Sequence, residues 1–183
     1  MKFLFVHVRV ILYFSFALML LFVTSCSQSI PRVPVLLSDA TPPKLLWEAY
    51  NMQTKAREEI AKDGQSLDVP ADQSYNITLA VEDFESGLKS VTLGGEVQYT
   101  CEKDGQVDNK QYGLQTQKTK PEPDQDNTVP VRASLVYVVQ FGKMGCQQSW
   151  TFGGGNLTLV GKARNSADGI DQRTLHVHLK KPE

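Results

Sequence analysis

An excess of charge of either sign is missing from this chain. Its 19 lysines and arginines stand against 20 aspartates and glutamates, a formal net charge of −1 over 183 residues. That balance removes the electrostatic basis for nucleic-acid binding. Catalytic signatures are equally scarce. There is no G-x-S-x-G nucleophile elbow and no H-E-x-x-H zinc helix. The glycines at 153–155 lack the Gly-Lys-Ser/Thr that completes a phosphate loop and read as a turn. No catalytic residue, cofactor or metal is expected, and the chain is not read as an enzyme. The apolar fraction of 41% is nonetheless ordinary, which excludes wholesale disorder.

Long hydrophobic runs are also rare, and the single clear one is informative. Lys2 and Arg9 give a positive start, and VILYFSFALMLLFV then runs from Val10 to Val23. A bilayer-spanning helix needs about 20 apolar residues, so this run fits the core of an export signal better than a membrane span. It ends at Val23-Thr24-Ser25-Cys26. That order resembles the lipobox of bacterial lipoproteins: an aliphatic residue, two small residues and a cysteine. The resemblance implies that the Cys26 thiol receives a diacylglycerol, that residues 1–25 are cleaved, and that the new amino group is acylated. Two or three acyl chains hold where one would dissociate, since each buried methylene contributes about 0.8 kcal/mol. Ser27 stands where aspartate marks inner-membrane retention in Gram-negative bacteria. The implied location is a bacterial membrane, lipid-anchored and facing away from the cytoplasm, the outer membrane if the cell is Gram-negative.

Cysteine is scarce too, with three in all. Lipidation of Cys26 leaves Cys101 and Cys146, and export permits a disulfide between them. Two reduced, buried thiols are the alternative. Residues 26–43 include Pro31, Pro34, Pro42 and Pro43. They interrupt regular pairing, so this stretch reads as a lipidated N-terminus and Pro-rich tether.

Beyond it a period of two dominates. Tyr75, Ile77, Leu79 and Val81 alternate with polar neighbours, Glu85-Ser86-Gly87 turns the chain, and Val91, Leu93, Val97, Tyr99 and Cys101 continue. Gly94-Gly95 permits a bulge or bend. The polar stretch 102–127, with KPEPDQDN at its end, reads as an exposed loop. From Val129 to Phe141 one parity is apolar, and Val136 and Val138 add apolar residues on the other, so that strand is expected to be buried on both sides. Leu157, Leu159, Leu175, Val177 and Leu179 close the pattern, with a turn at 166–169. Strands at this spacing predict an all-β antiparallel sandwich. One segment conflicts. Leu45, Ala49, Met52, Ala56 and Ile60 fall at helical spacing, and taken alone predict a helix.

VEDFESGLKSVTLGG resembles the strand–corner–strand of bacterial immunoglobulin-like domains through Asp83, Ser86, Gly87, Lys89, Ser90 and Val91. The closing stretch, with Ala163, Asn165 and Gly169, is similar to their last hairpin, and Pro43-Lys44-Leu45-Leu46-Trp47 to their opening strand. The resemblance implies a single immunoglobulin-like sandwich over 44–183, with residues 44–62 as a strand or irregular hairpin. No tryptophan sits on the third strand, and the cysteines do not fall on the second and sixth strands as in antibody domains, so fibronectin type III is nearly as close.

Few side chains suggest chemistry. His176 and His178 share one face of the last strand, but no third metal ligand accompanies them. Asp83, with Glu82 and Glu85, lacks calcium-loop spacing and reads as an acceptor for turn amides. Asp124 and Asp126 read as solubilising. The expected function is an envelope module that binds or scaffolds, held to the membrane by its acyl chains and partnered by an unidentified protein or envelope ligand. An accessory subunit that docks by its sheet edges is the alternative.

Overall fold

The computed structural model describes residues 30–36, 38, 41–60, 63–70, 72–140 and 146–181. Residues 1–25, expected to be an export signal, and Cys26 and Phe141 lie outside them. The described chain is all-β and contains no helix. Its strands are β1 (Arg32–Pro34), β2 (Lys44–Asn51), β3 (Arg57–Ile60), β4 (Ser66–Pro70), β5 (Ser74–Glu82) and β6 (Leu88–Lys103), followed by β7 (Gln106–Gly113), β8 (Gln117–Thr119), β9 (Thr128–Pro130), β10 (Arg132–Gln140), β11 (Thr151–Asn165) and β12 (Ile170–Lys180).

These strands form two facing sheets and a small ribbon. The smaller sheet has the order β10-β5-β2-β3, and the larger β4-β12-β11-β6-β7, with β8 also on β6. The ribbon pairs β1 with β9. Pairing is antiparallel with one exception: β4 runs parallel to β12, Leu67 opposite Val177. The order follows from burial. Leu45, Trp47 and Ala49 of β2, Ile77, Leu79 and Val81 of β5, Leu157 and Leu159 of β11, and Leu175, Val177 and Leu179 of β12 are all buried. Period-two spacing gives each strand one apolar face, and the faces cover each other.

The helical stripe at 45–60 is a hairpin, as the family resemblance implies. Trp47 pairs opposite Ile60 and Tyr50 opposite Arg57. The Asn51 side chain accepts from the amides of Gln53 at 2.9 Å and Thr54 at 3.0 Å, closing a turn before Lys55 takes a left-handed φ of 63°. Burial of Leu45, Trp47 and Ala49 outweighs helix propensity here.

Four expectations are corrected. Half of 102–127 is not a loop: β6 runs on to Lys103, β7 pairs with β6 from Gln106 opposite Lys103 to Gly113 opposite Glu96, and β8 follows at Gln117–Thr119. An edge strand satisfies its backbone from one side and needs few apolar residues. The glycines at 153–155 do not turn the chain. They lie within β11, with a bulge between Phe152 and Gly154. Val136 and Val138 are exposed, because β10 is the outermost strand of its sheet and its outer face is uncovered. The prolines do not keep residues 31–35 out of regular pairing. The Val131 amide donates to the Pro31 carbonyl at 2.9 Å and the Val35 amide to the Asn127 carbonyl at 3.1 Å, so valines supply the donors that prolines lack.

Gly94-Gly95 makes no bulge either, and pairs regularly with Val160 and Leu159. A Cβ on Gly95 would run into the Thr158 carbonyl. The expected result of Gly95→Ala is a loss of about 3 kcal/mol in urea unfolding. An unchanged midpoint would show that the two backbones separate freely.

Candidate functional site

The strands define two ends of the sandwich. At one end β5 stops at Glu82, β6 begins at Leu88, β11 stops at Asn165 and β12 begins at Ile170. Asp83 organises this corner. Its Oδ1 accepts from the amides of Ser86 at 2.8 Å, Gly87 at 3.1 Å and Glu85 at 3.2 Å, and from the Ser86 hydroxyl at 3.3 Å. Its Oδ2 accepts from Asn165 Nδ2 at 3.0 Å, tying the end of β5 to the end of β11. Asn165 Oδ1 accepts from the Gly169 amide at 2.6 Å, and its Nδ2 also reaches the Thr41 carbonyl. Asp83, Ser86 and Asn165 are buried, so the carboxylate fixes a turn, as its sequence context predicts. Glu82 pairs with Arg132 at 2.9 Å, and Glu85 is exposed.

The ribbon of β1 and β9 packs on this corner, with Val33 and Val129 against Gly87. Arg32 holds it. Its Nε lies 2.9 Å from Asp124 Oδ2, and its guanidinium donates to the carbonyls of Thr128 at 2.7 Å and Glu122 at 3.1 Å. Asp124 is therefore structural and not merely solubilising. The Thr128 hydroxyl and amide, with Arg32 beyond them, hold its carboxyl below the ordinary value of 3.8. A depressed folded value means that its contribution is present above the ordinary pKa and is lost as pH falls through the lowered one. At neutral pH, Asp124→Asn should speed hydrogen exchange at the Val35 and Val131 amides. The gap from wild type should close only as pH falls through that lowered pKa, where both carry a neutral group. Equal exchange at neutral pH would remove Asp124 from the clasp.

At the opposite end lie the β6–β7 turn and a disulfide between Cys101 and Cys146, Cα atoms 5.7 Å apart. Tyr99 stacks between Tyr112 and Phe152 beside it, ring centroids 6.1 and 5.9 Å away. Burial, then the neighbouring Tyr112 hydroxyl, raises the Tyr99 phenol above its ordinary pKa.

The outer face of the larger sheet is polar. A groove of about 370 Å³ crosses it, lined by Gln98, Thr100, Asn109, Gln111 and Asn156, with the Gly154-Gly155 backbone. His178 Nδ1 lies 2.8 Å from Asn156 Oδ1, and His176 Nδ1 3.5 Å from Thr158 Oγ1. Both imidazoles point to the outer face, as their parity predicts, and each has a neutral neighbour. Among the described residues no group of three metal-ligating side chains occurs.

Sequence reading missed the exposed edge at β10. The Val136 carbonyl, turned away from β5, accepts from the Gln117 side chain at 2.9 Å. One amide of β8 thus covers the middle of that edge, a device that limits strand pairing. The apolar run alone carried no signal of edge position. The chain matches no protein-family model, and a search of curated proteins finds no match.

Proposed function

We propose that this protein is a lipid-anchored component of a bacterial cell envelope, attached through Cys26, that presents an immunoglobulin-like sandwich for binding or scaffolding. The observation that carries the reading is the position of β1. The first described strand is clasped to the Asp83 corner, so an anchor at Cys26 attaches there and leaves the disulfide end pointing away. Loops far from an anchor are the natural contact surface. The strand order supports the immunoglobulin-like assignment. β2-β5-β10 corresponds to the A, B and E strands of that fold, and β12-β11-β6-β7 to G, F, C and C′. Cys26→Ala should abolish palmitate incorporation and release the protein from the membrane fraction. Labelling that persists in the variant would defeat the anchor. Crosslinking and pull-down of the lipidated protein from native membranes identifies what the far end binds.

The second reading is an accessory subunit that docks by its sheet edge. Exposed Val136 and Val138 on the outermost strand β10 favour it, and docking there would displace the Gln117 side chain from the Val136 carbonyl. Crosslinks from β10, and none from the β6–β7 turn, would select it.

A further inference from the structure

We infer that the Asp83 end of the sandwich lies directly on the lipid surface and inserts apolar side chains into it. The inference rests on the proposed anchor at Cys26. Large exposed apolar residues gather at this end. Phe84, 54% exposed, projects from the corner itself, and Ile170, 48% exposed, begins β12 beside it. Ile30 at 56% and Leu36 at 45% flank β1, the strand packed on the same corner. The Phe84 and Ile170 positions are locked together. Asp83 bonds to Asn165, Asn165 accepts from the Gly169 amide, and the Ser166 amide donates to the Gly87 carbonyl at 3.0 Å. The rigid turn holds Phe84 outward, more than half exposed even with the Arg132 guanidinium over its ring, and grouped exposed apolar residues mark a contact surface.

Covalent reach selects the occupant. Three residues lie between Cys26 and Ile30, and the four steps from one to the other span at most about 14 Å, so a bilayer holding the acyl chains lies within that distance of Ile30. Charge decides how the end meets it. Arg132 pairs with Glu82 and sits 5.0 Å over the Phe84 ring. Lys89 and Arg164 both pair with Asp168, and Arg32 pairs with Asp124. Lys44 and Glu85 add one charge of each sign beside a groove of about 340 Å³ that Phe84 also lines. With Asp83 counted, the five cations named meet five carboxylates, so no positive field draws the end to anionic lipid. The contact is apolar, and it persists on neutral lipid and in high salt.

The test uses the full lipidated protein in phosphatidylcholine vesicles. Acylation blocks Cys26 and the disulfide occupies Cys101 and Cys146, so an introduced cysteine is the one reactive thiol. Phe84→Cys, Ile170→Cys and, at the far end, Val107→Cys are each labelled with a nitroxide. All three sites are exposed, and circular dichroism checks that each variant folds. Labels at 84 and 170 should collide with a water-soluble nickel chelate severalfold less, and with oxygen more, than the label at 107. That pattern should be unchanged by added salt. Equal access of the chelate to all three labels, in protein that floats with the vesicles, overturns the inference while leaving the anchor intact. Loss of the difference in high salt overturns the apolar contact. Protein that fails to float refutes the anchor and this inference together.

Discussion

Cys101→Ser should lower the stability of the oxidised protein by about 4 kcal/mol, which lowers the melting temperature by about 10 °C. The figure comes from the 45-residue separation of Cys101 and Cys146, whose closure removes entropy from the unfolded chain. The bridge also has a local task. It ties β6, whose Cys101 is 1% exposed, to the segment that leads into β11. β6 and β11 are central strands of the larger sheet, so loosening this end opens their last pairs, Cys101 with Phe152 and Glu102 with Thr151. Reducing agent should bring the wild-type melt to that of the variant and leave the variant unmoved. A variant that melts with oxidised wild type would mean that the link does not constrain the chain.

Asp83→Ala should cost about 3 kcal/mol, measured by chemical unfolding, although it removes only one small side chain. The reason is what the carboxylate leaves behind. Three amides, the Ser86 hydroxyl and Asn165 Nδ2 all aim at it from a buried corner. Water cannot readily replace it, and buried donors without acceptors are expensive. Asp83→Asn separates the two oxygens. Its remaining carbonyl can serve the turn amides, but its NH₂ would face the NH₂ of Asn165, so its loss should lie between wild type and alanine. The Asp83→Ala and Asn165→Ala effects should sum to more than the double variant shows, since each breaks the same link. Strict additivity would mean that the two side chains act separately.

What the chain reveals before folding follows from which forces leave a mark on sequence. Burial does. The alternation at 75–81 and 175–179 exists because two sheets face each other, so those strands are legible. Local hydrogen bonding does as well, and Asp83 followed by Ser86 and Gly87 announces its turn. Edge position does not. β7 is polar on both faces and resembles a loop, because its stability comes from backbone pairing with β6. Val136 and Val138 read as buried since nothing in an apolar run tells an outermost strand from an inner one. Nor does long-range pairing. β1 depends on Arg32 meeting Asp124 and Thr128 across nearly a hundred residues, and no local pattern encodes that. The corner as a site was half visible: Asp83 stood out, but its grouping with Ile30, Leu36 and Ile170 exists only in three dimensions.

Intact mass analysis of the protein extracted from its native membrane tests the central proposal most directly. A mature chain that begins at Cys26, with a thioether-linked diacylglycerol and an acylated amino group, is the predicted product. A chain that still begins at Met1 and carries an unmodified thiol at position 26 would contradict it.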